Sequence, residues 1–298
     1  MNANPSVPQG TQRDRAGRRL VRGWRPCGRL LAAAAGAAMV AGAVLGPVLT
    51  AGPASAASRI GWIMGAGNVH LLGAQDHAIA SHFIDTPASF GTGASLVGDP
   101  IQPGLKTTPV LAYTSYAQFS SDIRNRRISF HYQWVMYDPE DWNRTPLAEQ
   151  QDPVKYMTLF GQLAHAHRLK VIMAPGMSLG YVAGSAIPRH QSESITAWYV
   201  RVNLARAAAA NSDIYDLQSE SQTASLTGYD WLFKHAAAQA RAANPRVLVF
   251  AEVSTVNGSA GQMAAAARSI SPDGFYVAAP GAIGQADQFF QKMQAAGY

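Results

Sequence analysis

The carboxylates just after an apolar run near the middle of the chain are the residues whose types and spacing best suit chemistry. The run Trp134–Tyr137 is followed by Asp138, Pro139 and Glu140. If the strand continues through Pro139, side-chain alternation places Asp138 and Glu140 on one side. Two carboxylates this close disfavour simultaneous ionisation, so one can keep a proton for a leaving oxygen. In the alternative interpretation, Asp138 or Asp141 caps a turn and Glu140 pairs with Arg144.

Two further acids follow apolar runs in a similar way, namely Glu220 and Glu252. Either one could face Glu140 and act as the second carboxylate of an acid/base pair. The structural alternatives are an acid at a helix N-terminus for Glu220 and a hydrogen-bonded strand residue for Glu252. We predict a substrate-binding group of hydrogen-bonding and aromatic side chains consisting of Trp142, Gln218, Tyr181, Asn257 and Tyr276.

The histidines provide a weaker pattern. His70, Asp76 and His77 could form a metal site or a phosphodiester-cleaving pair, although the region around them has no clear period. His165 and His167 are two residues apart near the end of a predicted helix, so they point to different faces, and the interpretation favoured over metal binding is that they complement the negative end of the helix. We therefore predict neither a metal nor another cofactor.

The elements that must position these residues alternate between strands and helices. Seven apolar runs read as buried strands: Ile60 to Met64, Val110 to Tyr113, Phe130 to Tyr137, Leu169 to Ala174, Ile214 to Leu217, Val247 to Val253 and Phe275 to Ala279. Predicted helices lie between the later runs: from Asp152-Pro153, Ser192 to Ala210, Tyr229 to Ala243, Ala260 to Ser269, and Ala286 to Ala296.

This alternation predicts parallel strands with right-handed crossovers, and therefore a (β/α)8-like barrel of the TIM type, irregular or with seven clear strands. The stretch from Val69 to Lys106 could hide the eighth strand. A doubly wound open sheet is the alternative, but no strand is followed by a glycine-rich phosphate turn. In a barrel, the residues just past each strand form the active site.

The first 56 residues predict a cleavable secretory signal, with seven arginines before an uncharged apolar stretch from Leu30 to Thr50. The small residues Ala54-Ser55-Ala56 suit signal peptidase. A retained membrane anchor is the alternative, and Arg18-Arg19 leaves the general and twin-arginine export routes open. Residues 57–298 then form a single (β/α) barrel domain, secreted to the extracellular space.

Removing residues 1–56 changes the charge argument. The whole chain has 24 basic and 18 acidic residues, and the signal takes seven and one of them, which leaves 17 of each. A formally neutral mature protein gives no electrostatic reason to bind nucleic acid or to stay on an anionic membrane. The only cysteine, Cys27, leaves with the signal, so a disulfide or thiolate site is excluded.

The segment Tyr137 to Trp142, followed by Thr145-Pro146 and Glu149-Gln150, resembles secreted bacterial proteins with glycoside-hydrolase-like (β/α) barrels. Asp138-x-Glu140 is similar to the end of the chitinase signature, which implies that Glu140 is the acid. The upstream acids of that signature are absent, since positions 133 to 135 are Gln, Trp and Val. The Asn-Glu pair of another large group of barrels is missing as well, so no specific family is assigned.

The combined expectation is an exported glycoside-hydrolase-like barrel that cleaves or recognises a polysaccharide or oligosaccharide. Glu140 would be the general acid, and Glu220 or Glu252 the nucleophile or base. Trp142 could stack on a sugar face. The alternatives are a non-catalytic carbohydrate-binding barrel and a metal-assisted phosphodiesterase, and the sequence leaves open whether the barrel is an enzyme.

Overall fold

Eight parallel strands close into a barrel in the computed structural model, which describes residues 60–93 and 105–298. The strands are β1 Gly61–Gly65, β2 Ser89–Thr92, β3 Thr108–Tyr113, β4 Trp134–Tyr137, β5 Lys170–Met173, β6 Ile214–Leu217, β7 Leu248–Ser254 and β8 Gly274–Ala278. Each strand pairs with the next along the chain, and β8 pairs back to β1. The predicted TIM-type barrel is therefore confirmed.

The helices pack around this barrel. Within the described residues they are α1 Ala66–Gln75, α2 His77–Phe83, α3 Tyr116–Arg124, α4 Leu147–Gln151, α5 Pro153–Ala166, α6 Ile195–Arg201, α7 Leu204–Ala209, α8 Leu226–Ala243, α9 Ala260–Ser269 and α10 Ile283–Ala295. Short 3-10 turns cover Met177–Tyr181 and Glu220–Gln222. None of the helices in these ranges combines the length and the apolar character needed to cross a bilayer.

The eighth strand lies within the stretch from Val69 to Lys106, where the sequence analysis expected that it could be hidden. It is β2, whose four residues Ser-Phe-Gly-Thr contain one large apolar side chain and so leave little hydrophobic signal. The third predicted strand is shorter than its apolar run, because Phe130 and His131 lie in an exposed turn ahead of β4. Phe130 is 87% exposed.

Local capping signals explain the helix boundaries. Asp152 caps α5 by accepting a hydrogen bond from Lys155 N, and Pro153 occupies the first turn, as predicted. The helix expected from Ser192 to Ala210 is instead two helices, α6 and α7. Asn203 separates them with a left-handed backbone (φ 54°), a conformation that Asn tolerates better than most residues and that interrupts the helical hydrogen bonds.

The barrel has one core inside the sheet and another between the sheet and the helices. The inner core consists of Ile63, Phe90, Val110, Met136, Ile172, Ala174, Ile214 and Phe250. Since strand side chains alternate, the residues two and four positions beyond these inner ones also face the barrel axis, at the carboxyl ends of the strands. That alternation sets the position of the polar residues described next.

The predicted signal, residues 1–56 with the cleavage site, lies outside the described residues. The boundary at residue 57, the neutral mature charge and the secreted location stay predictions.

Candidate functional site

Asp138 and Glu140 face the barrel axis from the carboxyl end of β4. Parallel pairing continues past the strand, because Ala174 N donates to Tyr137 O at 2.9 Å and Gly176 N donates to Pro139 O at 3.0 Å. In this register Ala174 lies beside Asp138, and Gly176 lies beside Glu140. The backbone therefore stays extended through Pro139, and both carboxylates lie on the inner side, as the alternation predicted.

Glu140 occupies the space that a side chain at position 176 would fill. A Cβ on Gly176 would lie 2.6 Å from Glu140 Cγ, 3.0 Å from Gln218 Oε1 and 3.1 Å from Ser178 Oγ. Burial and the neighbouring Glu220 carboxylate raise the pKa of Glu140, while a hydrogen bond from Ser178 lowers it in part. Glu140 thus remains partly open to solvent in an environment that favours its protonated form.

Gln218 connects β6 to β4 across this part of the barrel. Its Nε2 donates to Asp138 Oδ1 at 2.5 Å and to Ala174 O at 3.0 Å. Burial, followed by the charges of Glu140 and Asp216, holds the pKa of Asp138 well above its usual range, and the Gln218 hydrogen bond opposes that shift. Gln218 is thus hydrogen-bonded to a carboxylate of the site, and the substrate-binding role expected from the sequence stays a prediction.

Glu220 and Glu252 form a hydrogen-bonded pair of carboxyl groups. The backbone of Glu252 is fixed by Ser219, whose Oγ donates to Glu252 O at 2.9 Å and accepts from Glu252 N at 3.1 Å. Burial raises the pKa of both acids, and the Glu220 charge raises that of Glu252 further. A pair of this kind shares a proton, so one member can donate while the other accepts.

Asp216 is the acid of this cluster that sequence reasoning missed. It lies on β6 two residues before Gln218, on the same inner face, and it is fully buried. Neither of its carboxylate oxygens has a hydrogen-bond partner among the described residues, and the same holds for Glu220 Oε2. Burial, followed by the Glu220 charge, raises the pKa of Asp216 to about 8. Alternation back from Gln218 along β6 was the signal that could have found it.

The five acids, hereafter the carboxyl cluster, are Asp138, Glu140, Asp216, Glu220 and Glu252. No member of the cluster takes part in an ion pair within residues 60–93 and 105–298; the acids that do are Asp122, Glu193, Asp213, Asp230 and Asp273. The predicted alternative in which Glu140 pairs with Arg144 is therefore not what the structure has. The Arg144 guanidinium lies instead 5.2 Å from the centre of the Trp142 ring.

The predicted substrate-binding residues other than Gln218 lie at different distances along the chain from the carboxyl cluster and differ in their exposure to solvent. Tyr276 lies on β8 beside Glu252 in the pairing register, and its hydroxyl is 3.3 Å from Thr92 Oγ1. Trp142 is partly buried, with Nε1 donating to Thr145 Oγ1 at 2.8 Å. Tyr181 is 59% exposed in the 3-10 turn after β5. Asn257 is exposed in the loop after β7, so of these four only Tyr276 adjoins the cluster in the register.

Glu149 shows how a buried acid can instead be structural. It accepts hydrogen bonds from the backbone of Tyr116 (2.6 Å) and Ala117 (3.0 Å) at the start of α3, and from the hydroxyl groups of Ser115 and Tyr137. Both carboxylate oxygens of Glu149 are therefore occupied by hydrogen bonds from the protein. These hydrogen bonds connect the start of α3 to Tyr137 on β4, which is a structural role. This explains part of the segment that carried the sequence resemblance.

The histidine site considered from the sequence does not form. His70 and His77 are exposed, and Asp76 is committed to capping α2 through Ile79 N at 3.0 Å. His165 accompanies Asp213 in an exposed pair at the opposite end of β6 from Glu220. In the ranges that the structure covers, no group of three His, Cys, Asp or Glu side chains is arranged to hold a metal ion.

The comparisons with known proteins extend only to the fold. No family model and no curated protein matches the sequence. Among solved structures, the chain is similar to the Amycolatopsis orientalis BexX/CysO complex, with 12% identity, 80% of this chain and 89% of the other covered, and a TM-score of 0.47. The chain is also similar to hydroxymethylglutaryl-CoA lyase from Pseudomonas aeruginosa, with 11% identity and a TM-score of 0.46. The match covers 74% of this chain and 76% of the lyase.

A third similar structure is the carboxyl transferase domain of Rhizobium etli pyruvate carboxylase with pyruvate. Its identity is 10%, the covered shares are 80% of this chain and 48% of the other, and the TM-score is 0.42. At such identities the likeness concerns the eight-stranded parallel barrel alone.

The prediction of a glycoside hydrolase, or of its carbohydrate-binding counterpart, is corrected by these findings. The similar structures carry names such as lyase and carboxyl transferase, and none of the three is named as a glycoside hydrolase. The resemblance therefore holds for the barrel and not for that enzyme class. The metal-assisted phosphodiesterase is wrong as well. The physical reason is that any parallel barrel collects polar side chains at the carboxyl ends of its strands, so their position does not specify which bond reacts.

Proposed function

We propose that the protein is an enzyme that moves protons to and from a small, uncharged or positively charged molecule through the carboxyl cluster. The observation that carries this proposal is the convergence of acids from β4, β6 and β7 at one end of the barrel, without an ion-pair partner in the part of the chain that the structure describes. Raised pKa values are typical of groups that exchange protons near neutral pH.

Glu140 is the group we expect to touch the substrate. It is the member of the cluster with the lowest degree of burial, and Gly176 leaves room for its side chain. Burial raises the pKa of Glu140 and so favours its protonated form, which is the form that can donate a proton and later recover it. Its neighbour Ser178 holds the carboxyl group by a hydrogen bond, which limits the orientations it can adopt.

The Glu220–Glu252 pair supplies the complementary function. These two acids share a hydrogen bond and have raised pKa values, so we infer that one of them holds a proton while the other is ionised. The ionised member can accept a proton from the substrate or from a water molecule. Donor and acceptor thus come from different strands, which fixes their relative orientation through the barrel itself.

An anionic substrate does not suit this site. Binding a carboxylate or phosphate here would place like charges together, and no Lys, Arg or His of the described residues forms an ion pair with the cluster to compensate. A keto acid or a nucleotide phosphate is therefore disfavoured on electrostatic grounds.

The test is substrate conversion by matched variants. The wild-type protein and the variants Glu140→Gln and Asp141→Asn would be incubated with a panel of uncharged and cationic metabolites, and consumption would be followed by mass spectrometry. We expect the wild type and Asp141→Asn to convert the same compound, and Glu140→Gln to do so at least about 100-fold more slowly. Asp141 is the control because it is adjacent but exposed.

A Glu140→Gln protein that folds and converts the compound at the wild-type rate contradicts the role of Glu140. Direct titration of Glu140 by carbon-13 NMR provides a second check that needs no substrate. An ordinary glutamate pKa at this position also contradicts the proposal, because the carboxyl group would then hold no proton near neutral pH.

A further inference from the structure

We propose that the carboxyl cluster recognises an organic cation, so that the substrate carries an ammonium or amidinium group. This inference rests on the proposed function and narrows its substrate class. It follows from three observations: the unbalanced charge of the cluster, the unpartnered buried oxygens within it, and the way in which the neighbouring arginines are held elsewhere.

The charge balance of the cluster is the first observation. Five acids lie together, and every ion pair in the described part of the chain involves other acids. Glu220 repels Asp216, Glu140 and Glu252, and Glu140 repels Asp138. A bound cation would attract these carboxylates and so offset their mutual repulsion. No positively charged residue of the described chain forms such an ion pair with the cluster.

The unpartnered oxygens are the second observation. Both carboxylate oxygens of Asp216 are buried on the inner side of β6 without a hydrogen-bond partner in residues 60–93 and 105–298, and Glu220 Oε2 likewise has none there. Buried polar atoms in proteins are normally hydrogen-bonded, and unsatisfied ones call for a partner. An ammonium group offers three N–H donors and an amidinium four, in contrast to the acceptor-only carboxylates that surround the site.

The positions of the nearby arginines are the third observation. Arg144 and Arg189 lie in the loops after β4 and β5, and Arg144 is four residues from Glu140 in the chain. Arg144 lies over the Trp142 ring, and Arg189 lies 4.8 Å from the centre of the Tyr181 ring while donating to Glu193 O. Aromatic rings thus contact both guanidinium groups, so neither of these two arginines forms an ion pair with the cluster.

Binding of a cation should also release protons. Acids that repel each other hold protons that they lose once a positive charge lies among them. Proton release therefore distinguishes binding at the cluster from attraction to the outer surface, because an exposed carboxylate is already ionised near neutral pH.

The experiment compares isosteric probes that differ in charge: n-butylammonium, n-butanol and butyrate, and then benzamidinium, benzamide and benzoate. Binding to the full chain would be measured by ligand-observed NMR, and proton release by calorimetry in two buffers of different ionisation enthalpy. We expect each cation to bind at least about tenfold more tightly than its uncharged isostere. We expect no binding of the anions, and proton uptake by the buffer with the cations.

Two variants locate the binding. Glu252→Gln should weaken cation binding at least about tenfold and reduce the proton release, whereas Asp230→Asn should change neither. Asp230 is a matched control because it is an acid on α8 that already pairs with Lys234 at 2.8 Å. Thermal unfolding of each variant verifies that the protein is folded.

Several results would overturn the inference. These are equal binding of the uncharged isosteres, tighter binding of the anions, cation binding that Glu252→Gln leaves intact, or binding of Mg²⁺ or Ca²⁺ without binding of either organic cation. Failure here is distinguishable from failure of the proposed function. If the protein converts an uncharged compound and Glu140→Gln abolishes that conversion, the proposed acid–base function stands and only the recognition of a cation is contradicted.

Discussion

Glu140 and Gly176 lie side by side on the extended segments that follow the adjacent strands β4 and β5, and the absence of a side chain at position 176 leaves space for Glu140. The backbone hydrogen bond from Gly176 N to Pro139 O sets this relationship. A Cβ on Gly176 would lie 2.6 Å from Glu140 Cγ. Gly176 has no positive φ in the structure, so it is needed for space rather than for an unusual backbone conformation.

Gly176→Ala should displace Glu140 and reduce substrate conversion, with a loss of about 1–3 kcal/mol in the free energy of unfolding from overpacking. Gly67→Ala is the matched control, because a Cβ there meets nothing within 4 Å and the position lies in the first turn of α1. Urea unfolding and the conversion assay measure the two effects. Undiminished conversion by Gly176→Ala would show that Glu140 does not need this position.

Gln218→Leu should raise the pKa of Asp138 further, because it removes the hydrogen bond that favours the ionised carboxylate. The loss of two donated hydrogen bonds should also lower the free energy of unfolding by about 1–3 kcal/mol. Carbon-13 NMR titration of the aspartate carboxyl groups measures the pKa directly. A substrate-binding role for Gln218 alone would leave the Asp138 titration unchanged.

Asp216→Asn should change how stability depends on pH. The pKa of Asp216 is about 8 in the folded protein against an ordinary value of 3.8, so the folded state binds more protons between these two pH values. Its contribution to stability is thus present at low pH and is lost as the pH rises from about 4 to about 8. In the variant, the decrease in unfolding free energy over this interval should be smaller by up to about 1.4 kcal/mol per pH unit. Chemical unfolding at a series of pH values provides the measurement, and an unchanged slope would contradict the burial of an unpartnered acid.

Glu149→Gln should destabilise the fold without removing the chemistry. The amide group replaces one acceptor oxygen by a donor, so it loses the contacts of one oxygen: either those with Tyr116 N and the Tyr137 hydroxyl, or those with Ser115 Oγ and Ala117 N. We expect a loss of about 2–4 kcal/mol in unfolding free energy. Residual conversion, measured below the unfolding temperature, should stay within about threefold of the wild type. A much larger loss of activity would place Glu149 in the reaction.

Much of the fold was accessible from the sequence because its signals are local. Apolar runs bounded by breakers indicated seven of the eight strands, and Asp152-Pro153 located the start of α5, since capping depends on neighbours three residues apart. β2 escaped because four residues with a single large apolar side chain carry too weak a pattern. The break at Asn203 escaped because helical periodicity continues on both sides of it.

The sequence by itself determined the alternation of strands and helices and the acids that follow the strands, because both are properties of residues close together in the chain. Only the tertiary structure decided what those acids do. Barrel closure brings β4, β6 and β7 around one axis, so Glu140 meets Gly176 and Glu220 pairs with Glu252. Burial and mutual repulsion, which raise the pKa values of the cluster, exist only once residues over 100 positions apart are in contact. The enzyme class suggested by a short motif was wrong for the same reason: a motif records residue types, whereas chemistry depends on the distances and charges that the folded barrel sets.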